Sequence, residues 1–184
     1  MTEENDHVND VNGTLEHTDA GPRLRFVRHL RHPPAKVWRA ITEPEHLKAW
    51  FPQTVVLERW APGASLRFEH PSAPEATFSG EVLAFEPPRL LAFRWGTDVI
   101  RLEVEAEAHG EGTKLTLLDT IEELGKAARD GAGWHTCLDL LEHHLDGTVP
   151  AWSQSDRWRE VHPAYVRELG PEAATIGPSA GALD

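Results

Sequence analysis

Apolar and polar positions alternate through "RLRFVRHLRH": Leu24, Phe26 and Leu30 share one parity, while Arg23, Arg25, His29 and Arg31 hold the other. A period of two predicts a half-buried strand. Pro33 and Pro34 stop it and suit the first turn of a helix, "PAKVWRAIT", whose Val37, Trp38 and Ile41 fall on one face. Thr42 to Glu45 reads as a capping box, with Thr42 accepting from the amide of the third residue and Glu45 reaching back. A second short helix follows, carrying Leu47 and Trp50 and ended by Pro52.

Between Thr54 and Thr120 the period stays at two, and turns divide the stretch into "TVVLERW", "SLRFEH", "ATFSGEVLAFE", "PPRLLAFRW", "DVIRLEVEAEAH" and "TKLTLLDT". In the third, Phe78, Val82 and Ala84 alternate with Glu81, Leu83 and Phe85, so both faces are partly apolar, as in a central strand. Short connections imply antiparallel neighbours, and a meander of this length must curve or close to protect its edges. After a linker, "IEELGKAARDGAG", the clearest helix spans Trp134 to Leu145. Trp134, Cys137, Leu138, Leu141 and Leu145 form one apolar stripe, and the concave face of the sheet is the surface able to receive it.

Four segments are expected: a disordered acidic tail over 1–22, a folded domain over 23–147, an amphipathic helical segment over 148–170 and a flexible tail over 171–184. In the third, Trp158, Val161, Tyr165 and Leu169 fall at helical steps, although Pro163 interrupts them. This segment is expected to pack on the body or on a second copy of the chain, giving a homodimer.

Charge and composition narrow the function. The net charge is -12, and the first 22 residues carry Glu3, Glu4, Asp6, Asp10, Glu16 and Asp19 with no Lys or Arg. No basic stripe exists for phosphate backbones, so nucleic acid is not an expected partner. Nor is membrane insertion, because there is no apolar run of about 18 residues. With neither a span nor a secretory signal, a cytoplasmic protein is expected. Cys137, the one cysteine, excludes a disulfide within the chain and a thiolate-rich zinc site.

Specific chemistry is harder to find. The 11 histidines include no HExxH and no tight cluster, so neither a metal nor a cofactor is expected. His143 and His144 are adjacent on a helix and point to different faces. His135 is likewise misplaced to deprotonate Cys137, which reads as a buried, inert thiol. Arg94 and Asp98 read as a surface salt bridge across a hairpin turn, and Asp119 as a cap on the turn after the last strand. There is no GxSxG elbow, phosphate loop or dinucleotide fingerprint, and no catalytic residue is nominated. A cavity between sheet and helix would be lined by Trp50, Phe51, Phe68, His70, Phe78, Trp95, Trp134, Cys137 and Leu138.

The order strand, helix, helix, sheet, long helix resembles the α+β helix-grip fold of the START-like (SRPBCC, Bet v-type) superfamily. The wording is most similar to the branch named for the activator of the heat-shock protein 90 ATPase. The similarity lies in "HPPAKVWRAITEPEHLKAWF", "GEVLAFEPPRLLAFRW" and "GAGWHTCLDLLEHHLDG", and spans about residues 23–147. "LLDTIEEL" departs from the branch, where a His and a Gly follow the last strand. The resemblance implies a curved antiparallel sheet wrapped around a long helix, and a cavity for a small apolar or aromatic ligand. Two alternatives stand beside a ligand carrier: a protein-interaction or co-chaperone-like module, and a cyclase, dehydratase or hydrolase using a cavity histidine such as His70. In the eukaryotic activator a separate chaperone-binding domain comes first, and 22 residues before Arg23 are too few for one.

Overall fold

A computed structural model describes residues 11–108 and 111–178. Its strands are β1 (Gly13–Thr18), β2 (Gly21–Leu30), β3 (Thr54–Leu57), β4 (Ser65–Glu69), β5 (Phe78–Glu86), β6 (Leu90–Trp95), β7 (Asp98–Ala106) and β8 (Thr113–Thr120). They form one sheet in the order β1-β2-β8-β7-β6-β5-β4-β3. Every neighbouring pair is antiparallel. The helices are α1 (Pro34–Thr42), α2 (Pro44–Leu47), α3 (Ala127–Asp146) and α4 (Gln154–Leu169). The sheet curves around α3, which is the α+β helix-grip arrangement. Leu24, Phe26, Ile100, Leu102 and Leu117 from the sheet meet Leu138, Leu141 and Leu145 of α3 in one core.

Several expectations change. Gly13–Thr18, assigned to the disordered tail, is a strand on the edge of the sheet, closed on β2 by a turn at Gly21 (φ 118°) and by the Glu16–Arg23 ion pair. Its order comes from distant contacts rather than from its own apolar pattern: the Gly13 amide donates to the hydroxyl of Tyr165 in α4. Residues 1–10 of the expected tail lie outside the described residues. The capping box does not form. Thr42 donates back to the Trp38 carbonyl, and the N-cap of α2 is Glu43. In β5 a bulge between Val82 and Ala84 resets the alternation, so that Phe85 pairs with Leu91 and stacks on Trp38 and Trp60.

At the C-terminal end the linker is shorter and the helix longer than the pattern suggests. α3 starts at Ala127, and its first turns use small residues because Tyr165 lies against them: a Cβ on Gly131 would sit 2.7 Å from that ring. α4 runs unbroken through Pro163, with Tyr165 fully buried. The expected tail is tied down at least to Ile176, whose amide donates to the Gly125 carbonyl, and Ala173 is buried. Residues 179–184 lie outside the described part.

Candidate functional site

Strand alternation sends Phe68 of β4, Phe78 of β5, and Phe93 and Trp95 of β6 to the concave face, where they meet Phe51 beyond α2 and Trp134 of α3. Phe51 is the hub, with ring centroids 6.0 Å from Phe68, 6.1 Å from Phe93, 6.4 Å from Trp95 and 5.8 Å from Trp134. Phe78 stacks on Phe68 at 5.2 Å, and Trp95 lies 5.3 Å from Trp134. Such contacts add about 0.5–1.5 kcal/mol each beyond simple burial. Close approach is built into the sheet: Gly80 faces this layer, and a Cβ there would lie 2.7 Å from Phe68.

Exposure is graded across the cluster. Phe68 is fully buried and Trp134 is 2% exposed, while Phe78 and Trp95 are half-buried. At that outer end Trp95 Nε1 donates to Gln53 Oε1 at 3.0 Å. Six of the nine candidate cavity residues, Trp50, Phe51, Phe68, Phe78, Trp95 and Trp134, therefore meet in one cluster. Phe93 belongs with them and was missed because "LLAFRW" reads as an ordinary buried strand. Trp50 packs edge-on against Phe51 and donates to the Ala40 carbonyl. Cys137 and Leu138 are buried on α3, and burial pushes the Cys137 thiol up to about 12, so it is no nucleophile. His70 stands at the strand end, half-buried, with Nδ1 accepting from the Ser72 amide in the following turn.

Behind Trp134 the core turns polar. Trp134 Nε1 donates to Asp119 Oδ2 at 2.8 Å. Asp119 is fully buried rather than capping a turn, and Asp98 is buried rather than paired with Arg94 at the surface. Asp98 accepts from Lys126 Nζ at 2.7 and 2.6 Å through its two oxygens, and from the Glu122 amide. Burial, then the neighbouring Asp98, push the Asp119 carboxyl well above its usual range against the Trp134 hydrogen bond. Both aspartates follow strand patterns that look like turn chemistry, which is why the sequence alone hides them.

A second buried network joins α3 to α4. His135 Nδ1 lies 3.0 Å from the Tyr165 hydroxyl, and Nε2 lies 3.4 Å from Asp139 Oδ2. Arg28 and Arg157 both reach Asp139, and with His135 they hold its carboxyl below the usual range although burial pushes it up. His143 faces Trp152, while His144 Nε2 meets His46 Nδ1 at 2.8 Å across the α2–α3 contact.

The comparison with known proteins follows this architecture. Residues 31–146 match the family model described as "Activator of Hsp90 ATPase homolog 1-like protein". The chain belongs to this family. Among solved structures, the chain is similar to a conserved protein of unknown function, EF2215 from Enterococcus faecalis (TM-score 0.68, 19% identity, covering 85% of this chain and 90% of that one). It is similar to CalU16 from Micromonospora echinospora (TM-score 0.65, 22% identity, 85% and 95% covered). DynU16, a protein of the dynemicin biosynthetic locus, shares 27% identity at a TM-score of 0.58, with 67% of this chain and 47% of that chain covered. No curated protein matches the sequence. Among the described residues no helix of this family member is long and apolar enough to cross a membrane.

Proposed function

We propose that this activator-like protein binds a small, flat apolar or aromatic molecule at the outer end of its ring cluster, without chemical turnover. The observation that carries this reading is the gradient of exposure from sealed Phe68 and Trp134 to half-buried Phe78 and Trp95. A planar ligand entering there would stack on Trp95 and Phe78 and widen the gap to Phe51, replacing ring contacts with ring contacts. Gln53, bonded to Trp95, brings a side-chain amide to the same end for a polar substituent. The family membership and a structural relative from a biosynthetic locus support a small-molecule partner. A cytoplasmic location belongs to the same reading.

Native mass spectrometry of freshly purified protein, beside the denatured sample, tests it. A discrete adduct of small-molecule mass that is lost on denaturation is the expected result. The same spectrum reads subunit number, and so tests a homodimer through the segment carrying Trp158, which stacks on His162 on α4. A bare mass together with no uptake of added planar aromatics would overturn the ligand reading.

A further inference from the structure

Three carboxylates from distant parts of the chain meet beneath Trp134: Asp98 at the start of β7, Asp119 near the end of β8 and Asp130 in the first turn of α3. One oxygen of each lies within 4.8 Å of the others. Asp98 and Asp119 are 2% and 0% exposed. Two cations serve this group. Lys126 pairs with Asp98, and Arg129 Nε donates to Asp130 Oδ1 at 2.7 Å. Asp119 Oδ1 and Asp130 Oδ2 are buried with no hydrogen-bond partner.

Buried carboxylate oxygens without partners are costly, and the three carboxylates, once all are ionised, exceed two single positive charges. A divalent ion in place of the Lys126 ammonium would bring the group to neutrality with Arg129 retained, and would give the two orphaned oxygens a partner. The donors are all carboxylate oxygens, which select hard cations rather than zinc or copper. Ligands at about 2.3–2.6 Å from a calcium-sized ion stand no more than roughly 5 Å apart, which accommodates the observed spread.

We infer that Asp98, Asp119 and Asp130 form a site for a hard divalent cation of the Ca2+ or Mn2+ kind, with Lys126 holding the place of the ion when it is absent. Lys126 sits at the solvent-facing side of the pair, its side chain 13% exposed against 3% for Asp98, so it can swing outward as the ion enters. The inference does not depend on the aromatic ligand: Trp134 meets Phe51 and Trp95 through its ring, and Asp119 through its indole nitrogen.

The test is a Tb3+ titration of the full-length protein, excited through tryptophan. Trp134 donates directly to Asp119, so an ion held there lies close enough to the indole to be sensitised. The expected result is emission that saturates at one ion per chain and is displaced by Ca2+ or Mn2+. Asp119→Asn should weaken binding roughly tenfold or more. Lys126→Gln should tighten it, because the competing ammonium is gone, and Ca2+ should then raise the melting temperature of that variant. This opposite direction separates an ion site from an ordinary buried salt bridge, and it stands even if Asp119→Asn does not fold. Emission that never saturates, that is unchanged in Asp119→Asn, or that weakens in Lys126→Gln would overturn the inference.

Discussion

The indole nitrogen of Trp134 donates a 2.8 Å hydrogen bond to Asp119, and through it the aromatic cluster rests on the buried carboxylates. Trp134→Phe keeps a ring beside Phe51 but leaves both Asp119 oxygens unpartnered. The expected loss is about 1–3 kcal/mol, read as a lower midpoint of urea denaturation. In an Asp119→Leu background the same substitution should cost much less, because no stranded acceptor remains. Equal costs in the two backgrounds would show that the bond is not what matters.

The contact between α3 and α4 should govern the N-terminal edge of the sheet. The Tyr165 hydroxyl accepts from the Gly13 amide and lies 3.0 Å from His135 Nδ1. Tyr165→Phe removes both interactions with almost no change in packing, so a loss of about 1–2 kcal/mol is expected. Hydrogen exchange should speed up in Gly13–Thr18 and stay slow in β7 and β8. Uniform acceleration across the sheet would contradict this local role.

Most of the framework was legible because it is written in short-range periodicity. The parity of Leu24, Phe26 and Leu30 and the stripe from Trp134 to Leu145 both point at the core they enter. What stayed hidden depends on partners far away in sequence. "GTLEHT" has too little apolar character to announce a strand, and its order comes from β2 and Tyr165. "AARDGAG" looks like a linker because the ring of Tyr165 excludes larger side chains at Gly131. Asp98, Asp119 and Asp130 each resemble surface or turn residues, and only the folded topology brings them together. Among the candidate cavity residues, ring type and strand parity bring Phe51, Phe68, Phe78, Trp95 and Trp134 together, while His70 at the strand end accepts from the next turn.

Acidification should loosen the contact between α2 and α3. The pKa of His144 is lowered by burial, by His46 and by Lys36, and that of His162 is lowered by burial. A depressed folded-state pKa means that the unfolded chain binds the proton more readily. The stability these groups contribute is therefore present above their ordinary value near 6.5 and is lost as pH falls through the folded pKa. The raised Asp119 carboxyl contributes in the opposite direction, so the effect is read as a difference: from pH 7.5 to pH 5 the midpoint of the unaltered protein should fall relative to that of His144→Gln. A variant with the unchanged slope would remove His144 from this account.

Gly131→Ala should disturb the α3–α4 contact without touching the ring cluster. A Cβ 2.7 Å from the Tyr165 ring forces the helices apart, at a cost of about 1–3 kcal/mol. Thermal melting should fall by several degrees, at roughly 2–4 °C per kcal/mol for a chain of this size. An unchanged melting temperature would mean that α4 shifts freely over α3.

The most direct test of ligand binding at the ring cluster uses the indole N–H signals of the seven tryptophans in a two-dimensional 1H–15N spectrum, titrated with a planar probe, 2-naphthol. Saturable shifts at Trp95 and Trp134, with Trp152 and Trp158 unmoved, are the predicted result. Shifts confined to Trp152 and Trp158, or none up to the solubility limit of the probe, would contradict a binding site between the sheet and α3.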